Sequence, residues 1–124
     1  MRIGELASRT GVSIDAVRYY ERRGVLPRAD RTDAGYRVFA DADVARLDMV
    51  RYLQALGFTL DEVVDALQAH DRGGATCESE QWRLDAVRER IDTKIADLKR
   101  ARRLIDRTLA ACRSGRCGLT SARP

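Results

Sequence analysis

The sequence predicts a mainly α fold: short N-terminal helices broken by a small β-wing, then one long helix that pairs with a second copy of itself. Three observations carry that expectation. Capping residues and glycines cut residues 1–70 into short amphipathic stretches. A proline and an Asp-Ala-Gly turn interrupt them once, near residue 30. From residue 79 to 112 there is neither Pro nor Gly, and apolar residues recur every seven positions.

In chain order, Ile3, Leu6 and Ala7 form the apolar face of a first helix that ends at Gly11. Ser13 is placed to cap a second helix, Ile14 to Arg23, closed by Gly24. The spacing Ala7, Gly11, Val17 suits a helix-turn-helix: a small residue permits close approach, Gly accepts the turn, and an aliphatic residue locks the second helix onto the first. Pro27 then breaks the helix, Asp33-Ala34-Gly35 turns, and Tyr36 to Phe39 alternates like a short strand, giving the wing. Asp41 is expected to cap a third helix, 42–56, with Val44, Leu47, Val50, Tyr52 and Leu53 on its core side. Thr59 and Glu62 form a capping box for a fourth helix, 60–69, and the stretch from His70 to Cys77 reads as a loop.

In the long helix, Leu84, Ile91, Leu98 and Ile105 mark the heptads, with Val87, Ile95, Ala101 and Leu109 between them. Nothing else in a 124-residue chain is large enough to cover such a stripe, so self-pairing is expected. Charge sets the direction. Residues 78–97 carry six acids against four basic residues, whereas 98–117 carry seven basic residues against Asp106 alone. An antiparallel pair sets the basic half against the acidic half, and a parallel pair would not.

Charge also separates function classes. Residues 1–40 hold eight Arg against five acids, and only Lys94 and Lys99 are lysines. Arg favours bidentate contacts with phosphate and base edges, so a basic helix-turn-helix is compatible with duplex DNA. Arg18, Tyr19, Tyr20, Arg22 and Arg23 are the candidates on the second helix, with Arg31, Tyr36 and Arg37 on the wing. Tyr20 reads equally well as core, because adjacent helix positions point in different directions. No apolar run approaches the roughly 20 residues that span a bilayer, and the N-terminus lacks a signal-peptide core, so a cytoplasmic protein with no membrane partner is expected.

The runs IGELASRTGVS, VRYYERRGVLP, GYRVF and LGFTLDEV, followed by the long terminal helix, resemble the MerR family in order and spacing. The resemblance covers residues 2–112. It implies a homodimer joined by an antiparallel coiled coil and bound to a near-palindromic operator within promoter DNA. It also implies an activator, repressing without its effector, that distorts the promoter so that RNA polymerase can use it.

Cys77, Cys112 and Cys117 remain. Roughly 50 Å of helix separates Cys77 from Cys112 within one chain, so one chain cannot bring them to one ion. An antiparallel dimer brings Cys77 of one chain beside Cys112 and Cys117 of the other. Singly, a cysteine on a helix stripe reads more readily as small core. Together they match where the metal-responsive branch of the family keeps its ligands, and Arg113 and Arg116 offset thiolate charge. The copper-type branch has Ser in place of Cys77, which disfavours a monovalent ion. Three thiolates with no clear fourth group suit trigonal Hg(II), as in the mercury-responsive members, with Zn(II), Cd(II) or Pb(II) as alternatives. His70, expected in the loop before Cys77, is the candidate fourth ligand against a default of surface His. The four-residue loop between Cys112 and Cys117 is shorter than usual in these relatives.

The resulting organisation is a DNA-binding domain at 1–70, a connecting loop at 71–78, a dimerisation helix at 79–112, and a metal-binding loop and tail at 112–124. The competing reading is a redox- or small-molecule-responsive regulator of the same family. A structural zinc protein is a lesser alternative. An enzyme is rejected, since there is no Cys-x-x-Cys, no phosphate loop and no His/Asp pair near a Cys.

Overall fold

The computed structural model describes residues 1–27 and 30–116. Five helices and one hairpin follow in order: α1 (Ile3–Thr10), α2 (Ile14–Arg22), β1 (Asp30–Arg31), β2 (Arg37–Val38), α3 (Asp41–Ala55), α4 (Leu60–Asp71) and α5 (Cys77–Arg113). The mainly helical fold with a small wing and a long last helix is as the sequence predicts.

The helix-turn-helix forms for local reasons. Gly11 takes a left-handed conformation (φ 72°), and its N–H caps α1 by donating to the Ala7 carbonyl at 2.9 Å. The Ser13 hydroxyl accepts from the Ala16 N–H at 3.1 Å and starts α2. At the other end of α2, Gly24 donates to the Glu21 carbonyl and Val25 to that of Tyr20, which turns the chain towards the wing. β1 and β2 pair antiparallel, Asp30 opposite Val38 and Arg31 opposite Arg37. The expected strand 36–39 shortens at both ends. Tyr36 belongs to the turn, where it bonds Thr32, and Phe39 leaves the strand for the core.

That core joins Leu6, Val12, Val17, Leu26, Phe39 and Leu47, with Tyr20 and Val44 packed at its margin. Two expectations for α3 are corrected. Tyr52 is 62% exposed rather than on the core side, because five residues after Leu47 it lies about 140° round the helix. Asp41 is not the cap. Ala40 occupies that position, the Asp43 carboxylate accepts the Ala40 N–H at 2.9 Å, and Asp41 instead pairs with Arg9 at 3.2 Å.

The Thr59–Glu62 capping box forms as expected, and α4 continues to Asp71. His70 therefore stands in its last turn, exposed, and not in a loop. Arg46 of α3 holds the end of α4 through two 2.8 Å bonds to Asp71. The same guanidinium also donates to the Val25 carbonyl after α2.

Only residues 72–76 separate α4 from α5. Thr76 and Ser79 exchange side-chain-to-backbone bonds of 3.0 and 2.9 Å, a reciprocal cap that makes Cys77 the first residue of the helix. The chain divides between Arg83 and Leu84 into two units. The first extends past residue 70 because Arg83 pairs with Asp65 of α4. In the second, Val87 is the buried residue of α5, while Leu84, Ile91, Leu98 and Ile105 are exposed. Among the described residues, no helix is long and apolar enough to cross a membrane.

Candidate nucleic-acid interface and thiol donors

α2 has one buried residue, Val17, and this orientation turns Arg18 and Arg22 outward. Arg18 is half exposed and only loosely engaged, 3.7 Å from Asp15. Tyr19 is 42% exposed and works with Arg23 one turn later, whose guanidinium donates to its hydroxyl at 3.0 Å. Arg22 and Arg23 both approach the Tyr19 ring, each 5.8 Å from its centroid. The hydrogen bond to Tyr19, with the nearby Asp61 carboxylate adding, holds Arg23 firmly protonated. Tyr20 points elsewhere: it packs on the core and its hydroxyl donates to Gln54 at 3.2 Å.

The wing is fixed to α2 by charge. Arg37 pairs with Glu21 at 3.2 Å, and the Glu21 side chain is only 11% exposed. Arg31 donates to the Gly35 carbonyl at 3.0 Å and so braces the turn that carries Tyr36. Tyr36 is half exposed and lies beneath the guanidinium of Arg2, 4.1 Å from the ring centroid.

Arg2, Arg18, Arg31 and Arg37 together with Tyr36 line an open groove of about 310 Å³ between the start of α1, α2 and the wing. Sequence reasoning missed Arg2 and Glu21. The first stands 34 residues from its partner, and the second reads as an ordinary surface acid. The available signal was compositional: an Arg just ahead of the first helix and an aromatic residue at the wing tip.

The thiols are placed differently. Cys77 and Cys112 are both exposed, the former opening α5 and the latter next to its last residue. Cys117 lies outside the described residues. Among those described, no three His, Cys, Asp or Glu side chains cluster in the manner of a metal site within one chain. The helix holds its two sulfurs apart, so soft-donor chemistry at either one requires donors from elsewhere.

Comparison with known proteins agrees with the architecture. Residues 1–70 match the family model of the MerR HTH family regulatory protein, and residues 44–108 match that of the MerR DNA-binding region. The chain is 42% identical over 104 residues to the mercuric resistance operon regulatory protein of Bacillus cereus, covering 84% of this chain and 79% of that one. Among solved structures, the transcription regulator PbrR691 from Ralstonia metallidurans in complex with lead(II) superposes with a TM-score of 0.82 at 30% identity. That match covers 90% of this chain and 87% of the other. MerR from Bacillus megaterium in complex with mercury(II) superposes at 0.71 with 36% identity, over 89% of this chain and 85% of its own.

Proposed function

This chain belongs to the MerR family of DNA-binding transcription regulators and is not an enzyme, and on that premise we propose that it is a metal-responsive regulator that senses a thiophilic divalent ion, Hg(II) before others. The observation that carries the reading is the pair of exposed thiols at the two ends of one helix. When two copies of α5 run antiparallel, Cys77 of one protomer meets Cys112 of the other, and Cys117 follows five residues on in the chain. The donor set fits a soft ion: thiolates bind Hg(II) strongly, and three of them satisfy a trigonal centre. The bound ion supplies positive charge and a tie between the two protomers. Names of relatives support the class of ion, mercury for two of them and lead for a third.

The DNA face is α2 and the wing. Arg18, Tyr19, Arg22 and Arg23 address the major groove and its phosphates, and Arg31, Tyr36 and Arg37 extend the contact. Tyr20 supports α2 from the core side through Gln54. The Glu21–Arg37 pair fixes the wing against α2, so both contact a duplex as one surface. Two such faces in a dimer grip a near-palindromic promoter, and RNA polymerase responds to the shape of the bound DNA. A metal held by Cys77, Cys112 and Cys117 at the ends of α5 would favour whichever arrangement of the dimer binds it more tightly.

The test is a titration of the reduced protein with Hg(II), Pb(II), Cd(II) and Zn(II) under excess competing thiol, read by thiolate-to-metal absorption. Tight Hg(II) binding lost in Cys77→Ser supports the cross-protomer site. Preference for Pb(II), favoured by the lead-bound relative, moves the ion without moving the ligands. Absence of binding, or binding indifferent to Cys77, removes the metal reading and leaves thiol oxidation as the signal.

A further inference from the structure

We infer that the groove headed by Arg2 holds one backbone phosphate of the bound duplex, with Arg2 a DNA-contacting residue. The inference rests on the DNA face proposed above and extends it from α2 and the wing to the start of α1.

The lining carries four guanidinium groups and no carboxylate. Two of the four are partly neutralised from outside it, Arg37 by Glu21 at 3.2 Å and Arg18 by Asp15 at 3.7 Å. Arg31 is steered by the Gly35 carbonyl, which carries no net charge. The groove therefore keeps about two positive charges in excess, enough to attract an anion bearing one negative charge.

Arg2 differs from the other three in how it is held. Its guanidinium carbon stands over the Tyr36 ring, 4.1 Å from the centroid, a cation–π contact that holds the charged group at the groove. A guanidinium presents two parallel donors, which match the two free oxygens of a phosphodiester. Arg2 is also the residue immediately ahead of α1, so the positive end of that helix faces the same space. A phosphate in this position touches α1, α2 and the wing together. It fixes the register of the helix in the groove without reading sequence.

The phosphate contact has a signature that a purely structural role lacks. Each neutralised phosphate contributes about 0.9 to the slope of log affinity against log salt concentration. A mixed-sequence 30-base-pair duplex serves as probe, because backbone contacts do not depend on sequence. Fluorescence anisotropy of the full chain across 50–300 mM KCl is compared for wild type, Arg2→Gln and Arg2→Lys.

Arg2→Gln is expected to lower the slope by about 0.9 per protomer, about 1.8 for a bound dimer. Arg2→Lys retains most of the slope while weakening binding several-fold. Weaker binding by Arg2→Gln at an unchanged slope means that Arg2 only props Tyr36, and this overturns the phosphate site. Unchanged binding overturns it as well. Failure of the wild type to bind any duplex is a different result, since it removes the DNA face itself.

Discussion

The two units of the chain treat apolar side chains in opposite ways. In Met1–Arg83, the largest fully buried side chains, Leu6, Leu26 and Leu47, are at most 1% exposed. From Leu84 onward only Val87 is buried among the described residues, and Leu98 is 70% exposed. The first unit solves its own burial problem with three short helices, a wing and a fourth helix. The second does not, because one helix has no inside. A helix of 37 residues is held by its own backbone bonds, but its stripe of Leu and Ile needs a surface from outside. Recognition is thus built on the self-sufficient unit. On the reading proposed above, the stripe of the second unit is covered by a second copy of α5.

The largest effect follows from placing a charge in that stripe. Leu98→Glu puts an uncompensated carboxylate into each half of the pair, at about 3–5 kcal/mol apiece. Sedimentation equilibrium is expected to show monomers at concentrations where the wild type is dimeric. Ala96→Glu is the control: Ala96 is also exposed but lies about 160° round the helix from Leu98, on the side away from the seam. Equal dissociation by both variants would mean that the stripe is not the contact.

Next comes the interior of the first unit. Leu47→Ala leaves a cavity beside Leu6 and Val17 and is expected to lower stability by about 2–5 kcal/mol. Because this core is made within one chain, the loss should not vary with protein concentration, whereas the penalty of Leu98→Glu, measured against a dimeric wild type, should grow with it. A concentration-dependent penalty for Leu47→Ala would break the contrast between the units.

What the sequence disclosed follows the same division. Ser13, Thr59 with Glu62, and Gly11 are local signals, each acting within four residues, and each does what its chemistry dictates. The heptads of α5 are legible for a similar reason, since a single helix repeats a rule. Contacts between distant residues were not legible. Arg2 over Tyr36 and Arg37 on Glu21 depend on how the wing folds back, and no pattern in the chain encodes that. The start of α5 was misplaced because Thr76 and Ser79 form a cap without the acidic residue that usually marks one. Tyr52 was misplaced because five apolar residues within ten positions can be drawn on more than one face. Of the proposed thiol donors, Cys77 and Cys112 stand at the two ends of α5, and Cys117 lies outside the described residues.

The smallest effect concerns the seam between α3 and α4. Hydrogen bonds from Arg46 hold the Asp71 carboxyl below its ordinary value, with the Arg46 charge and His70 adding to the shift. A carboxyl depressed in the folded state contributes stability above its unfolded value, about 3.9, and loses it as pH falls through the lower folded value. The Asp71 side chain is half exposed, so solvent screens the pair and its worth is under about 1 kcal/mol. Asp71→Asn should therefore be slightly less stable than wild type at pH 7 by urea unfolding. The gap should close as the wild-type carboxyl is protonated in acid. A gap that does not change on acidification would show that the Asp71 charge is not its source.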